Sequence, residues 1–164
     1  MSELSASIVP LSDLPLPSAV EPWREVLAPQ SLGYRLTLLS QLIRRQLQNL
    51  LDDYGMTTFH WVVLCCLWEE DGVATSAICQ RLQQLGGTMT GVLDGMEKRG
   101  LIRRQRDPLD RRIWRVYLTE VGEALRTILP PKVKQLREET YGCLLPEEQK
   151  QLSQFVDILI AHLS

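Results

Sequence analysis

Histidine occurs twice and cysteine four times in 164 residues, and neither His60 nor His162 stands at a spacing from Cys, Asp or Glu that would hold a metal. No metal site and no cofactor is expected. Cys65 and Cys66 are neighbours, so they point to different faces of a helix and are expected to pack as small hydrophobes rather than bond to each other. No apolar run approaches the roughly 18 to 20 residues of a membrane-spanning helix. The N-terminal residues lack a basic segment followed by an apolar one, so a reducing cytoplasm is the expected setting. Gly86-Gly87 is not followed by the Gly-Lys of a phosphate loop, and neither a Ser-His-Asp set nor paired carboxylates point to catalysis. An enzyme is not expected. Aromatics make up only 6% of the chain.

Charge is abundant and segregated. The formal net charge is −2, yet Lys98, Arg99, Arg103, Arg104, Arg106, Arg111, Arg112 and Arg115 face only Asp107 and Asp110 between residues 98 and 115, a local balance of +6. The rest of the chain carries −8. A cationic strip on an acidic protein concentrates positive potential in one place and orients an encounter with a polyanion. On charge alone the alternative stands equal, a solvated hairpin whose arginines keep an edge strand from aggregating.

Five of the nine prolines fall within residues 1–30, which read as an arm in which no helix runs far. Residues 31–164 read as one mainly helical domain. Over 31–54, Leu32, Leu36, Leu39, Ile43, Leu47, Leu50 and Tyr54 recur at helical spacing. Thr57 is placed to cap a second helix reaching Glu70, with Trp61, Leu64, Cys65 and Trp68 on one buried face. A short helix is expected from Thr75 to Gln83, a turn over Gln84–Gly87, and a further helix over Thr88–Arg99 with Met89, Val92, Leu93 and Met96 inward. Short helix, tight turn and a second helix with a polar outer face make a helix-turn-helix. Two strands follow, Leu101–Arg106 and Ile113–Leu118, joined by a turn at Asp107-Pro108-Leu109-Asp110-Arg111. The hairpin makes this a winged helix over 57–119. Thr119 caps a fifth helix with Val121, Leu125, Leu129, Val133 and Leu136 inward, and Pro130-Pro131 predicts a kink or break. A last helix starts at Pro146, with Leu152, Phe155, Val156, Leu159, Ile160 and Leu163 on one side. The apolar surface of 31–54 and 120–164 exceeds what so small a winged helix hides, which predicts a helical dimer interface.

The run Met96-Glu97-Lys98-Arg99-Gly100-Leu101-Ile102-Arg103-Arg104, then Asp107-Pro108-Leu109-Asp110-Arg111-Arg112, then Val116-Tyr117-Leu118-Thr119-Glu120-Val121-Gly122 resembles the multiple-antibiotic-resistance-regulator (MarR) type of bacterial transcription factor. The resemblance implies a homodimer that binds double-stranded DNA at a pseudo-palindromic operator, generally as a repressor released by a small ligand or by oxidation; a small aromatic or phenolic ligand is the expected effector. It implies that Arg112 enters the minor groove from the wing tip beside Arg111, with Asp110 orienting it. It also places Thr88, Thr90 and Gly91 at the start of the reading helix, with Arg103 nearby. In the family, effectors often bind between the dimerisation helices and the winged helix, which makes Tyr34, Arg35, His60 and Trp61 the candidates to line such a pocket, where an arginine and aromatics suit an aromatic carboxylate. Gly95 stands where the family often has an arginine, which implies one phosphate contact fewer. The reading from another class is a winged-helix interaction module that binds protein and not specific DNA.

Overall fold

The computed structural model describes residues 9–82 and 86–164. These fall into two units, Met1–Gln46 and Leu47–Ser164, so the first unit reaches past the arm expected over 1–30 into the first helix. Within it, two single turns of 3-10 helix, Leu11–Asp13 and Glu21–Trp23, are held by one side chain. Arg24 donates from Nη1 to the carbonyls of Ser12 and Leu14 at 2.6 and 2.9 Å and forks onto Glu21. The prolines forbid an α-helix here, and the arginine supplies the order that a backbone ladder would otherwise give. Helix α1, Leu32–Asp52, begins in this unit with Leu32, Leu36, Leu39 and Leu42 exposed.

The second unit contains the end of α1, then α2 (Thr58–Glu69), β1 (Val73–Ala74), α3 (Thr75–Arg81), α4 (Gly86–Lys98), β2 (Ile102–Arg106), β3 (Trp114–Leu118), α5 (Glu120–Tyr141) and α6 (Pro146–Leu163). The strands form an antiparallel sheet in the order β1-β3-β2, with Val73 opposite Val116 and Arg104 opposite Val116 from the other side. Leu51, Val63, Leu64, Ile78, Met89, Leu93, Met96, Val116 and Leu129 close the core with no accessible surface. This is a winged helix. Among the described residues no helix is long and apolar enough to cross a membrane, and no group of three His, Cys, Asp or Glu side chains is placed to hold a metal.

Several sequence expectations change. Helix α4 starts at Gly86, two residues before Thr88, so Gly86 and Gly87 are helical; the remainder of the expected turn, with Gln83, lies outside the described residues. α5 runs unbroken through Pro130 and Pro131. The prolines forfeit two backbone donors, but Leu125, Leu129, Val133 and Leu136 stay on one inward side, and their burial keeps the helix continuous. Val121 is exposed and Gly122 is buried in its place. In α2 the buried side chains are His60, Val63, Leu64, Cys66 and Leu67, whereas Trp61, Cys65 and Trp68 are half-buried. That helix is apolar nearly all round, so its composition sets no single face. Burial pushes the Cys65 thiol up to about 11, which keeps it protonated and unreactive at neutral pH.

Candidate nucleic-acid interface

Helix α4 is fixed by its inward face, Met89, Leu93 and Met96, all fully buried. The phase set by those three leaves Thr88, Thr90, Gly91 and Asp94 exposed on the outer side. Gly95 does not belong to that side. A Cβ built on it would lie 3.5 Å from His60 Nε2, so a longer residue there would start against the imidazole rather than over a phosphate.

His60 itself is buried. Its Nδ1 accepts the Thr57 N–H at 3.3 Å while its own N–H donates to Thr57 Oγ1 at 3.2 Å, a reciprocal cap on α2. Burial, helped by the charge of Arg99, holds its pKa below the ordinary 6.5. The folded state therefore favours the neutral ring, and the unfolded chain binds the proton first. Stability that is complete above about pH 6.5 is expected to be lost as pH falls through the lower, folded value. Melting curves from pH 8 to 5 check this; His60→Asn, whose amide oxygen can still accept from Thr57, should flatten the dependence. Trp61 packs edge-on against Trp68, centroids 5.7 Å apart. In the first unit Tyr34 is exposed and Arg35 half-buried on α1.

The wing is organised by Asp107. Its Oδ1 accepts the N–H groups of Leu109 and Asp110 at 2.8 and 3.1 Å, its Oδ2 takes the Arg115 Nε–H, and its own N–H donates to Ile113 O at 3.0 Å. Those bonds, the Arg115 guanidinium foremost, hold its carboxyl below the usual carboxylate range. Arg115 also donates to Gly72 O at 2.9 Å, tying the wing to the β1 turn. Asp110 accepts from the backbone N–H of Arg112 at 2.9 Å. Its carboxylate thus shapes the turn that carries Arg112 through the backbone of that residue. Arg106 donates to Arg111 O at 2.7 Å and lies 4.0 Å over the Trp114 ring, and Arg103 lies 4.9 Å over Tyr117.

The cationic strip therefore divides by role. Arg115 and Arg104 are taken up by carboxylates, Arg99 donates to Tyr54 O, and Arg111 and Arg112 project at an exposed tip with Leu109. The tip and the outer face of α4 belong to one compact unit. Asp107, Arg106 and the Arg104 pairing were missed in the sequence. For Asp107 a signal existed, since an Asp followed by Pro at a strand end commonly caps the turn with its own carboxylate.

A family model described as the MarR family matches residues 56–114. The HTH-type transcriptional regulator TtmR of Methylorubrum extorquens is 34% identical over 102 residues, which is 60% of this chain and 52% of that protein. The transcriptional regulator HosA of Escherichia coli is 32% identical over 101 residues, 62% of this chain and 75% of that one. Alignment thus spans about half of the first relative and three quarters of the second. Among solved structures, BpsR of Bordetella bronchiseptica superimposes with a TM-score of 0.71 at 27% identity, covering 77% of this chain and 96% of that one; the work describing it concerns regulation of its DNA binding by 6-hydroxynicotinic acid.

Proposed function

This chain belongs to the MarR family, and on that premise we propose that it is a dimeric, sequence-specific DNA-binding regulator of transcription, a repressor relieved by a small aromatic or phenolic ligand. The observation that carries the reading is the wing: a hairpin whose tip loop is locked where it leaves the strands by Asp107 and Arg115, with Arg111 and Arg112 exposed at the tip, in the same unit as the exposed threonines of α4. A guanidinium gains in a narrow A·T minor groove because negative potential is concentrated there. Thr88 and Thr90 are small hydroxyl residues suited to phosphates or base edges in the major groove.

Dimerisation is supported by α6. It contributes no buried residue, and Phe155, Ile158 and Leu163 leave 61%, 64% and 82% of their surface open. A contiguous apolar stripe of that kind on a folded unit calls for a cover, and a second copy presenting the same stripe satisfies it by two-fold symmetry. Paired winged helices then address half-sites about 10 base pairs apart, one helical turn. Relief by an aromatic ligand is supported by the likeness to BpsR.

Titration of the protein with duplex DNA over a range of salt tests the reading. Affinity is expected to fall with a log–log slope of about −0.9 for each phosphate neutralised. Absence of duplex binding at low salt would refute it and favour the protein-interaction module.

A further inference from the structure

β2 is an edge strand of the sheet, and on it Arg104 turns both backbone and side chain towards α4. Its N–H donates to Glu97 Oε1 at 2.8 Å, and Nε and Nη2 donate to Glu97 Oε2 at 3.0 and 2.7 Å. Nη2 also lies 2.6 Å from Asp94 Oδ1. Glu97 thus answers an edge-strand donor and takes the Arg104 guanidinium as well, and the same guanidinium reaches a second carboxylate one turn back along the helix. Only 24% of the Arg104 side chain remains accessible, unlike the open tip arginines. The two acids matter because of where they stand. Asp94 follows Thr90 by one turn on the outer side of α4, and a bare carboxylate there would repel a phosphate backbone.

We propose that Arg104 is a positioning residue for DNA reading: through Glu97 and Asp94 it fixes the wing at one distance from α4, so that tip and helix meet a single duplex in register. β3 has its own moorings, its pairing with β1 and the Thr75 hydroxyl that donates to Trp114 O at 3.3 Å. β2 is held on one side by its ladder with β3 and on the other by the Arg104 clamp to α4, and its placement sets how far Arg103 and Arg106 stand from the helix. The inference rests on the DNA-binding reading above and deepens it.

The test uses two duplexes of equal length and composition, one selected by the wild-type protein from a random-sequence pool and one with that sequence scrambled. Glu97→Ala removes a negative charge beside the proposed DNA path, so charge alone predicts tighter binding to both. A clamp predicts the opposite for the selected duplex: about tenfold weaker binding, with the scrambled duplex unchanged or tighter, so that discrimination falls by about a factor of ten or more. Arg104→Lys keeps the charge count but loses the planar fork, and is expected to lower the same ratio. Arg112→Ala, by contrast, should weaken both duplexes. A discrimination ratio that neither Glu97→Ala nor Arg104→Lys moves would overturn the inference while leaving DNA binding in place. Should Glu97→Ala fail to fold, the ratio for Arg104→Lys decides. A wild-type protein that enriches no sequence and binds neither duplex at low salt would instead remove the DNA-binding reading, and the inference with it.

Discussion

Replacing Arg111 and Arg112 together by alanine is expected to weaken duplex binding about a hundredfold while leaving the melting temperature almost unchanged. In a dimer the change removes four tip cations. If each neutralises one phosphate, the log–log salt slope flattens by up to about four, and the loss of affinity between roughly 50 and 200 mM salt shrinks by about a hundredfold. The fold should be spared because the hairpin uses these residues through their backbone. Arg111 O accepts from Arg106 and Arg112 N donates to Asp110, bonds that alanine keeps. Equilibrium binding at several salt concentrations, together with a thermal melt, separates the outcomes. An unchanged slope would show that the tip does not touch phosphate, and a lowered melting temperature would assign the arginines to the fold.

That separation is available because the tip loop of the wing is locally determined, and the same locality made the hairpin legible in the sequence. Alternation along β3, the Asp-Pro turn and the density of arginine are all short-range signals, as are the Thr57 and Thr119 caps, which hold as expected. What escaped was whatever depends on distant partners. β1 is two residues long and exists because Val73 and Ala74 find the free edge of β3; no periodicity fits in two residues. The clamp joins residues seven apart across the α4–β2 turn, and neither Glu97 nor Arg104 differs in type from its charged neighbours. The continuous α5 was obscured for the opposite reason, since a strong local signal, Pro130-Pro131, is overridden by burial of the apolar side of the helix. In α6 the stripe was readable, yet the described residues of its unit leave it open, because its cover is proposed to come from a second copy.

The error at the start of α5 leads to the largest expected effect on stability. Periodicity put Val121 inside, but the phase of the helix is set by Gly122, whose backbone lies against the Leu101 carbonyl. A Cβ on Gly122 would fall on the Leu101 oxygen, closer than side-chain carbons ever approach, with the Leu118 side chain 3.1 Å away. Neither neighbour can give way cheaply. Leu101 O already accepts from Thr119 N at 3.1 Å, the Thr119 hydroxyl bonds Gly100 O at 2.5 Å, and Gly122 O takes the Trp68 indole N–H at 3.2 Å. Gly122→Ala must therefore push α5 off the α4–β2 junction and lengthen several of these bonds together. Overpacking of this kind, directed at backbone rather than at a flexible side chain, is expected to cost about 3 kcal/mol or more. For a unit of this size that is a fall of roughly 10 °C in melting temperature. Gly91 supplies the contrast. It is exposed within α4, and a Cβ there meets nothing within 4 Å, so Gly91→Ala should stabilise by about 0.5 to 1 kcal/mol through helix propensity alone. Opposite signs from two glycine-to-alanine changes, read in parallel melts, would locate the close contact at the foot of α5. A Gly122→Ala protein that melts with the wild type would mean that α5 does not seat on Leu101, and would remove the rigid connection between the wing and the helix that follows it.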